Sequence, residues 1–133
     1  MHRVADLIGA PFRDGGRGPD AYDCWGLVRE VYKRYGVELP DYQGCCYDFV
    51  RFYEGFLEER PRWVRHEPPD IPIPAVAAIR FNAPVVNHVG VYVCDGKFLH
   101  TREKTGVVLE SVDSPAWRHR LEGFYIWPSH SRS

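Results

Sequence analysis

Residues 23–28, with the sequence DCWGLV, decide the fold because they begin an amphipathic helix with a cysteine in its first turn. Asp23 is a favoured N-cap residue, so Cys24 falls at or near the first helical position. Apolar residues recur at helical intervals from Cys24 to Tyr35, and Gly36 is placed to end the helix. The sequence therefore predicts a helix that buries one face and starts at Cys24.

The position of Cys24 favours a reactive thiol. The start of a helix presents unsatisfied N–H groups and the positive end of the dipole, which stabilise a thiolate. Such surroundings lower a thiol pKa from about 8.5 to roughly 3.5–7.5. Cysteine is also among the most buried residue types, so a small buried hydrophobe is the alternative on this segment alone.

Two histidines on one predicted β-hairpin favour the reactive alternative. Residues 86–93 alternate apolar residues at period two, residues 95–96 (DG) predict a tight turn, and residues 97–100 begin the return strand. His88 and His100 therefore lie on adjacent antiparallel strands. A nucleophile, a base and an orienting group from these side chains would form a cysteine-dependent catalytic site.

The register of that hairpin decides whether the imidazoles touch. With a regular two-residue loop, His88 falls opposite Glu103 and His100 falls opposite Val91, which displaces the two histidines along the strands. Contact between the rings therefore requires a β-bulge or a strongly twisted pair of strands.

Five segments, taken in order, resemble the NlpC-type cell-wall cysteine peptidases, which have a compact papain-like fold. The segments are residues 8–12 (IGAPF), 23–28 (DCWGLV), 36–40 (GVELP), 88–92 (HVGVY) and 98–100 (FLH). Each segment alone is weak, whereas their order along most of the chain is specific. The short members of this family that the chain resembles are associated with the tails of phages and prophages.

The resemblance implies an enzyme that hydrolyses amide bonds in the stem peptides of bacterial peptidoglycan. Cys24 is then the nucleophile, His88 the general base and His100 the residue that orients His88. The Cys24 backbone N–H at the helix start is placed to donate to an oxyanion. The resemblance implies no cofactor, and the four cysteines lack the CxxC spacing of a zinc site.

The chain departs from the family pattern around this site. Phe12 stands where the family usually has a tyrosine, and Tyr22 is the nearby residue that could supply the missing hydroxyl. Trp25 replaces a common serine and either reshapes a substrate subsite or packs the helix. Together with Asp23, these are the candidate substrate-binding or oxyanion residues, and residues 74–81 lack the family's Gly-Asp pair.

Helices come first and strands second, which is the α+β order of a single domain over residues 1–133. The expected architecture is N-terminal helices packed on an antiparallel sheet of about five strands. Prolines make residues 60–75 an extended linker. The strands are expected at about 76–81, 87–94, 97–101, 106–112 and 123–127.

Composition limits the partners and the location. The formal net charge of −1 gives no electrostatic case for nucleic acid or an anionic membrane. No apolar run approaches the roughly 20 residues of a membrane span, and residues 1–8 do not read as a secretory signal. We expect a protein that is cytoplasmic as synthesised and is delivered to peptidoglycan by a virion, with phage tail proteins as partners.

Two other functions remain open at this stage. Phe12 and the missing Gly-Asp pair favour a non-catalytic structural or assembly component of a tail that retains the fold. Folds of this kind support several different reactions. A cysteine amidase or acyltransferase that acts on another substrate is therefore the third hypothesis.

Overall fold

The first long helix, α1, spans Cys24–Arg34 and confirms the predicted start. In the computed structural model, which describes residues 3–42, 49–81 and 84–128, the Asp23 carboxylate caps this helix by accepting from Gly26 N at 2.7 Å. Gly36 follows the C-cap with a φ of +82°, a conformation that favours glycine. The helix therefore begins and ends where its sequence predicts.

The second helix, α2, spans Phe49–Glu59 and continues into a short 3₁₀ turn at Arg60–Arg62. Its apolar side packs against the core, and Phe56 meets Tyr125 edge to face at 5.6 Å between ring centroids. No helix in the described ranges is long and apolar enough to cross a membrane.

Six strands form one sheet, and every pair of neighbours in it is antiparallel. The spatial order is β1-β6-β2-β3-β4-β5, so the last strand inserts between the first two. The strands are β1 Val64–His66, β2 Ala75–Ile79, β3 His88–Cys94, β4 Lys97–Arg102, β5 Gly106–Ser111 and β6 Leu121–Ile126.

The sheet has one strand more than the predicted number of about five. The additional strand is β1, which lies inside the segment predicted to be only an extended linker and pairs with β6. Pro61 and Pro68 flank this strand rather than interrupt it, and a three-residue edge strand is short enough to fit between them. The α+β class with helices on an antiparallel sheet is confirmed.

The two faces of the sheet carry different cores because side chains alternate along each strand. One face packs against α1 through Val28, Val31 and Tyr32 of the helix and through Val89 and Val91 of β3. The opposite face buries a second cluster that is rich in aromatic residues. Its members include Ile79, Tyr92, Phe98, Trp117 and Phe124.

The β3–β4 hairpin turns at residues 95–96, as predicted, with Gly96 at a φ of +71° and Cys94 paired with Lys97. The register then shifts, and the next pair is Tyr92 with Phe98. This irregularity is the β-bulge that the two histidines require, and Val93 is its additional residue.

Candidate active site

The imidazoles of His88 and His100 are in contact. His88 Nε2 lies 3.1 Å from His100 Nδ1, and the ring centroids are 5.3 Å apart at an interplanar angle of 76°. His88 is 5% exposed and His100 is fully buried. The structure therefore brings together the two histidines that the sequence singles out.

The bulge explains this contact. In a regular hairpin His100 would face Val91, whose side chain points to the α1 side of the sheet, so the two rings would lie on opposite faces. The observed pairing of Val91 with Leu99 moves His100 by one position. Continuing that pairing sets His100 beside Gly90, on the same face as His88.

Gly90 leaves the room for this approach. A Cβ atom built on Gly90 would lie 3.1 Å from His100 Cβ and 2.6 Å from the Leu99 carbonyl oxygen. The strand therefore needs a residue without a side chain between the two histidines. This close approach explains why the motif HVGVY at 88–92 has glycine at position 90.

Burial keeps both imidazoles neutral near pH 7. Desolvation, assisted by the charges of His100 and Arg102, lowers the pKa of His88 to about 3. Desolvation also lowers the pKa of His100 to about 4, because it outweighs the opposing effect of the Glu110 carboxylate. A neutral imidazole has one nitrogen with a lone pair, as a general base requires.

Cys24 is buried and occupies the first position of α1, as predicted. The helix packs on β3 and β4. Cys24 and Val89 line the same cavity, and Val89 adjoins His88 in the chain. The start of α1 and β3 therefore meet at one cavity, whereas His88, on the other face of β3 from Val89, is not among its lining residues in the described part of the chain.

That cavity has a volume of about 350 Å³. Its walls come from the start of α1, from α2 with the turn that follows it, and from the sheet. The aromatic lining consists of Trp25, Tyr42, Phe52, Phe56, Trp63 and Tyr125, and the charged lining includes Arg51, Glu58, Glu59 and Arg60. A cavity with apolar walls and charges of both signs at its edge can hold a peptide.

Both carboxylate oxygens of Asp23 already have partners. Oδ1 accepts from Gly26 N and from the Arg17 guanidinium, each at 2.7 Å, while Oδ2 accepts from Gly15 N at 3.2 Å. Asp23 therefore ties the entry loop to the helix start. Its predicted part in substrate or oxyanion binding stays a prediction.

Trp25 both packs the helix and lines the cavity. Its Nε1 donates to the Pro40 carbonyl at 2.9 Å, and its ring lies 4.9 Å from that of Tyr42 and 6.2 Å from that of Trp63. The two alternatives for Trp25 are therefore compatible, since the packed ring forms part of the cavity wall.

Phe12 and Tyr22 lie outside the set of residues that line this cavity in the described part of the chain. They pair with each other through an isolated parallel β-bridge. The Tyr22 ring is buried against Gly18, where an added Cβ would lie 2.7 Å from the Tyr22 hydroxyl oxygen. The structure therefore does not bring the Tyr22 hydroxyl to the cavity as a replacement for the one that Phe12 lacks.

Sequence reasoning missed Glu110. Its Oε2 lies 3.5 Å from His100 Nε2, on the side of the ring away from His88. Residues 106–110 (GVVLE) have no alternation that assigns Glu110 to a face, and its neighbour depends on the register between β4 and β5. That register pairs Phe98 with Glu110 and His100 with Val108.

Comparisons with known proteins find relatives that are named for one kind of enzyme. The sequence model of the NlpC/P60 family matches residues 9–60, which include Cys24 but neither histidine. The chain is 25% identical over 122 residues to the murein DD-endopeptidase MepS/murein LD-carboxypeptidase of Escherichia coli, covering 90% of this chain and 57% of that protein. It is 26% identical over 119 residues to the probable endopeptidase p60 of Listeria monocytogenes, covering 88% of this chain and 21% of that protein.

Solved structures show the same fold. An NLP/P60 family protein of Staphylococcus aureus, described as similar to lipoprotein, superposes with a TM-score of 0.67 at 20% identity, covering 96% of this chain and 39% of the other. The NlpC/p60 domain of the peptidoglycan hydrolase SagA has a TM-score of 0.63 at 17% identity, covering 94% and 92%. The chain thus has the fold of NlpC/P60 domains and spans little more than half the length of the Escherichia coli relative.

Proposed function

We propose that this chain is a cysteine peptidase of the NlpC/P60 type that hydrolyses amide bonds in peptidoglycan stem peptides. The observation that carries the proposal is the buried contact between His88 and His100 on the strands against which the Cys24 helix packs. A lone buried histidine is commonly structural, whereas a histidine pair on strands that pack against a helix with cysteine at its start fits nucleophilic catalysis.

In the proposed reaction, His88 Nδ1 accepts the proton of Cys24 Sγ as the sulfur attacks the carbonyl carbon of the scissile amide. The imidazolium then gives that proton to the leaving amine, and a thioester remains on Cys24. Water attacks the thioester, losing a proton to His88, and the carboxylic acid product and the thiol are released. The Cys24 backbone N–H at the helix start donates to the oxyanion.

The substrate class rests on the cavity and on the relatives. A stem peptide combines apolar parts with charged amino and carboxylate groups, and the cavity combines aromatic walls with Arg51, Arg60, Glu58 and Glu59. Proteins that resemble the chain over about nine-tenths of its length are named murein endopeptidase and probable endopeptidase. The cavity favours a peptide, and the relative named murein endopeptidase favours a peptide of the bacterial wall.

The test is digestion of purified peptidoglycan by the wild type and by Cys24→Ala, with chromatography and mass spectrometry of the released stem peptides. We expect release by the wild type and none by the variant. Cys94→Ala is the matched control, because Cys94 lies at the far end of β3, at the hairpin turn, and should leave the release unchanged. Equal release by Cys24→Ala would overturn the mechanism.

Alkylation separates the alternatives if the wild type leaves peptidoglycan intact. Faster reaction of Cys24 than of Cys94 with iodoacetamide at about pH 6.5 would favour an amidase or acyltransferase on another substrate. Equal rates would favour a non-catalytic component. Association with a phage or prophage tail, and delivery by the virion, is a further proposal that rests on the sequence resemblance, and detection of the chain in purified virions would check it.

A further inference from the structure

Glu110 of β5 lies at the end of a line of side chains that runs through both histidines. His100 Nε2 is buried and makes no hydrogen bond of good geometry within the ranges that the structure describes, while the Glu110 carboxylate stands 3.5 Å away. His100 Nδ1 lies 3.1 Å from His88 Nε2. The order along the line is therefore Glu110, His100 and His88.

The register of the sheet fixes this order. Glu110 pairs with Phe98, and His100 pairs with Val108, so Glu110 and His100 are diagonal neighbours on one face. Long side chains reach each other across such a diagonal. Trp117 closes over His100 at 4.6 Å between ring centroids, which holds the ring between its two neighbours.

The protons along this line have one arrangement in which no lone pair of a ring nitrogen faces another lone pair or the carboxylate. A carboxylate only accepts hydrogen bonds, so the nitrogen of His100 that faces Glu110 must carry a proton. His100 Nδ1 is then an acceptor, and His88 Nε2 must donate to it. His88 is consequently left with its lone pair on Nδ1.

The opposite tautomers would aim a lone pair of His100 at the Glu110 carboxylate, which is repulsive. The charged groups around the pair are Glu110 on β5 and Arg102 on β4, and Arg102 disfavours protonation of either histidine. Burial, assisted by Arg102, therefore keeps both rings neutral, and the carboxylate selects between their tautomers.

We propose that Glu110 is a positioning residue that acts through His100 to fix the tautomer of His88 in which Nδ1 is unprotonated. Only the use of that nitrogen as the base toward Cys24 rests on the proposed function. The tautomer itself is a property of the folded chain.

Long-range ¹H–¹⁵N correlation spectra of the ¹⁵N-histidine-labelled protein near pH 7 test the proposal, because they report which ring nitrogen carries the proton. We expect protons on Nε2 of His88 and of His100 in the wild type. Glu110→Gln should keep this pattern, since its amide oxygen still accepts. Glu110→Leu should give mixed tautomers in both rings.

Glu122→Gln is the matched control, because that carboxylate accepts from Tyr125 at 2.7 Å on β6, outside the line. Its spectrum should match the wild type. A proton on His88 Nδ1 in the wild type, or an unchanged pattern in a folded Glu110→Leu, would overturn the proposal.

Activity gives a second readout that separates the two proposals. If the wild type cleaves peptidoglycan, Glu110→Leu should lower kcat by about 10–100-fold, the loss usual when the carboxylate that orients a metal-bound histidine is removed. Glu110→Gln should lower kcat by less, because it keeps the tautomer and removes only the charge. If the wild type cleaves nothing, the proposed function fails while the spectra still decide the role of Glu110.

Discussion

At the scale of single residues, Gly90 controls the distance between two strands at the point where the histidines meet. An added Cβ atom would lie 2.6 Å from the Leu99 carbonyl oxygen, closer than real Cβ atoms come, and 3.1 Å from His100 Cβ, which is a tight contact. The carbonyl belongs to the backbone of β4 and cannot move without moving the strand. Any side chain at position 90 therefore acts on the contact between His88 and His100.

We expect Gly90→Ala to destabilise the fold by about 1–3 kcal/mol, the usual cost of overpacking a filled core. The same change should separate the two imidazoles and lower the rate of peptidoglycan cleavage more than tenfold. Urea unfolding and digestion of purified peptidoglycan measure the two effects. Wild-type stability together with wild-type activity would show that the strands have room for the methyl group.

Gly55→Ala provides the control for glycine replacement itself. Gly55 lies within α2, and a Cβ atom there would meet nothing within 4 Å. We expect it to stabilise the protein by about 0.5–1 kcal/mol, because alanine is the better helix former. A loss of stability in both variants would mean that the loss in Gly90→Ala cannot be assigned to the strand contact, because replacement of glycine by alanine restricts the unfolded chain and by that effect alone stabilises a protein.

At the scale of elements, the start of α1 depends on one carboxylate that serves three donors. Asp23 accepts from Gly26 N, Gly15 N and Arg17, so the cap also holds the entry loop. Gly26 packs so closely on that loop that an added Cβ would lie 2.0 Å from the Gly16 carbonyl oxygen. The cap and the close approach together fix the position of Cys24.

We expect Asp23→Ala to cost about 1–2 kcal/mol of unfolding free energy, because it leaves the cap donors and Arg17 without their acceptor. Asp23→Asn should cost less than Asp23→Ala, since asparagine also caps helices, although its amide nitrogen cannot accept from Gly15 N and the charge that faces Arg17 is lost. Urea unfolding of both variants measures the difference. An equal loss in the two variants would assign the effect to the ion pair and the Gly15 contact instead of the cap.

The ends of the elements show how much of the structure local sequence signals can predict. Asp23 and Gly36 carry local signals for the ends of α1, and residues 95–96 carry one for the turn, so these could be predicted. A β-bulge of this kind has no characteristic residue type, and valine at position 93 is typical of any strand. The need for a bulge followed from counting residues between His88 and His100, whereas its place did not.

Contacts across several strands were beyond sequence reasoning for a related reason. The neighbour of Glu110 depends on the register of two strand pairs, and each register depends on packing of the whole sheet. The strand β1 was not predicted because its residues lie between prolines, which usually exclude a strand. The cavity wall supplied by α2 likewise follows from tertiary packing and not from a motif.

At the scale of the whole molecule, two buried neutral histidines link stability to pH. Their pKa values in the folded state, about 3 for His88 and about 4 for His100, lie below the unfolded value of about 6.5. The unfolded chain therefore binds more protons between these values. The stabilising effect is complete above about pH 6.5 and is lost as the pH falls toward 4 and then 3.

We expect the free energy of unfolding to fall by a few kcal/mol between about pH 7 and pH 4 on account of this pair. The variant His88→Gln/His100→Gln should show a clearly flatter dependence over that range. Calorimetry at a series of pH values measures both. His119→Gln is the control, because His119 is exposed and its removal should leave the slope unchanged. Equal slopes in all three proteins would mean that the pair does not carry the effect.

The bulge at Val93 also constrains how this chain can change by insertion and deletion. His100 lies twelve positions after His88, and the pairing places them on one face only because one of the intervening residues is not counted in the ladder. A lineage that lost Val93 would keep the contact with a regular hairpin and a separation of eleven. A lineage that straightened the hairpin without losing a residue would turn His100 to the other side of the sheet. Distant relatives in which the two histidines touch should therefore keep a separation of twelve positions wherever they keep the bulge, even where few of the intervening residues are the same.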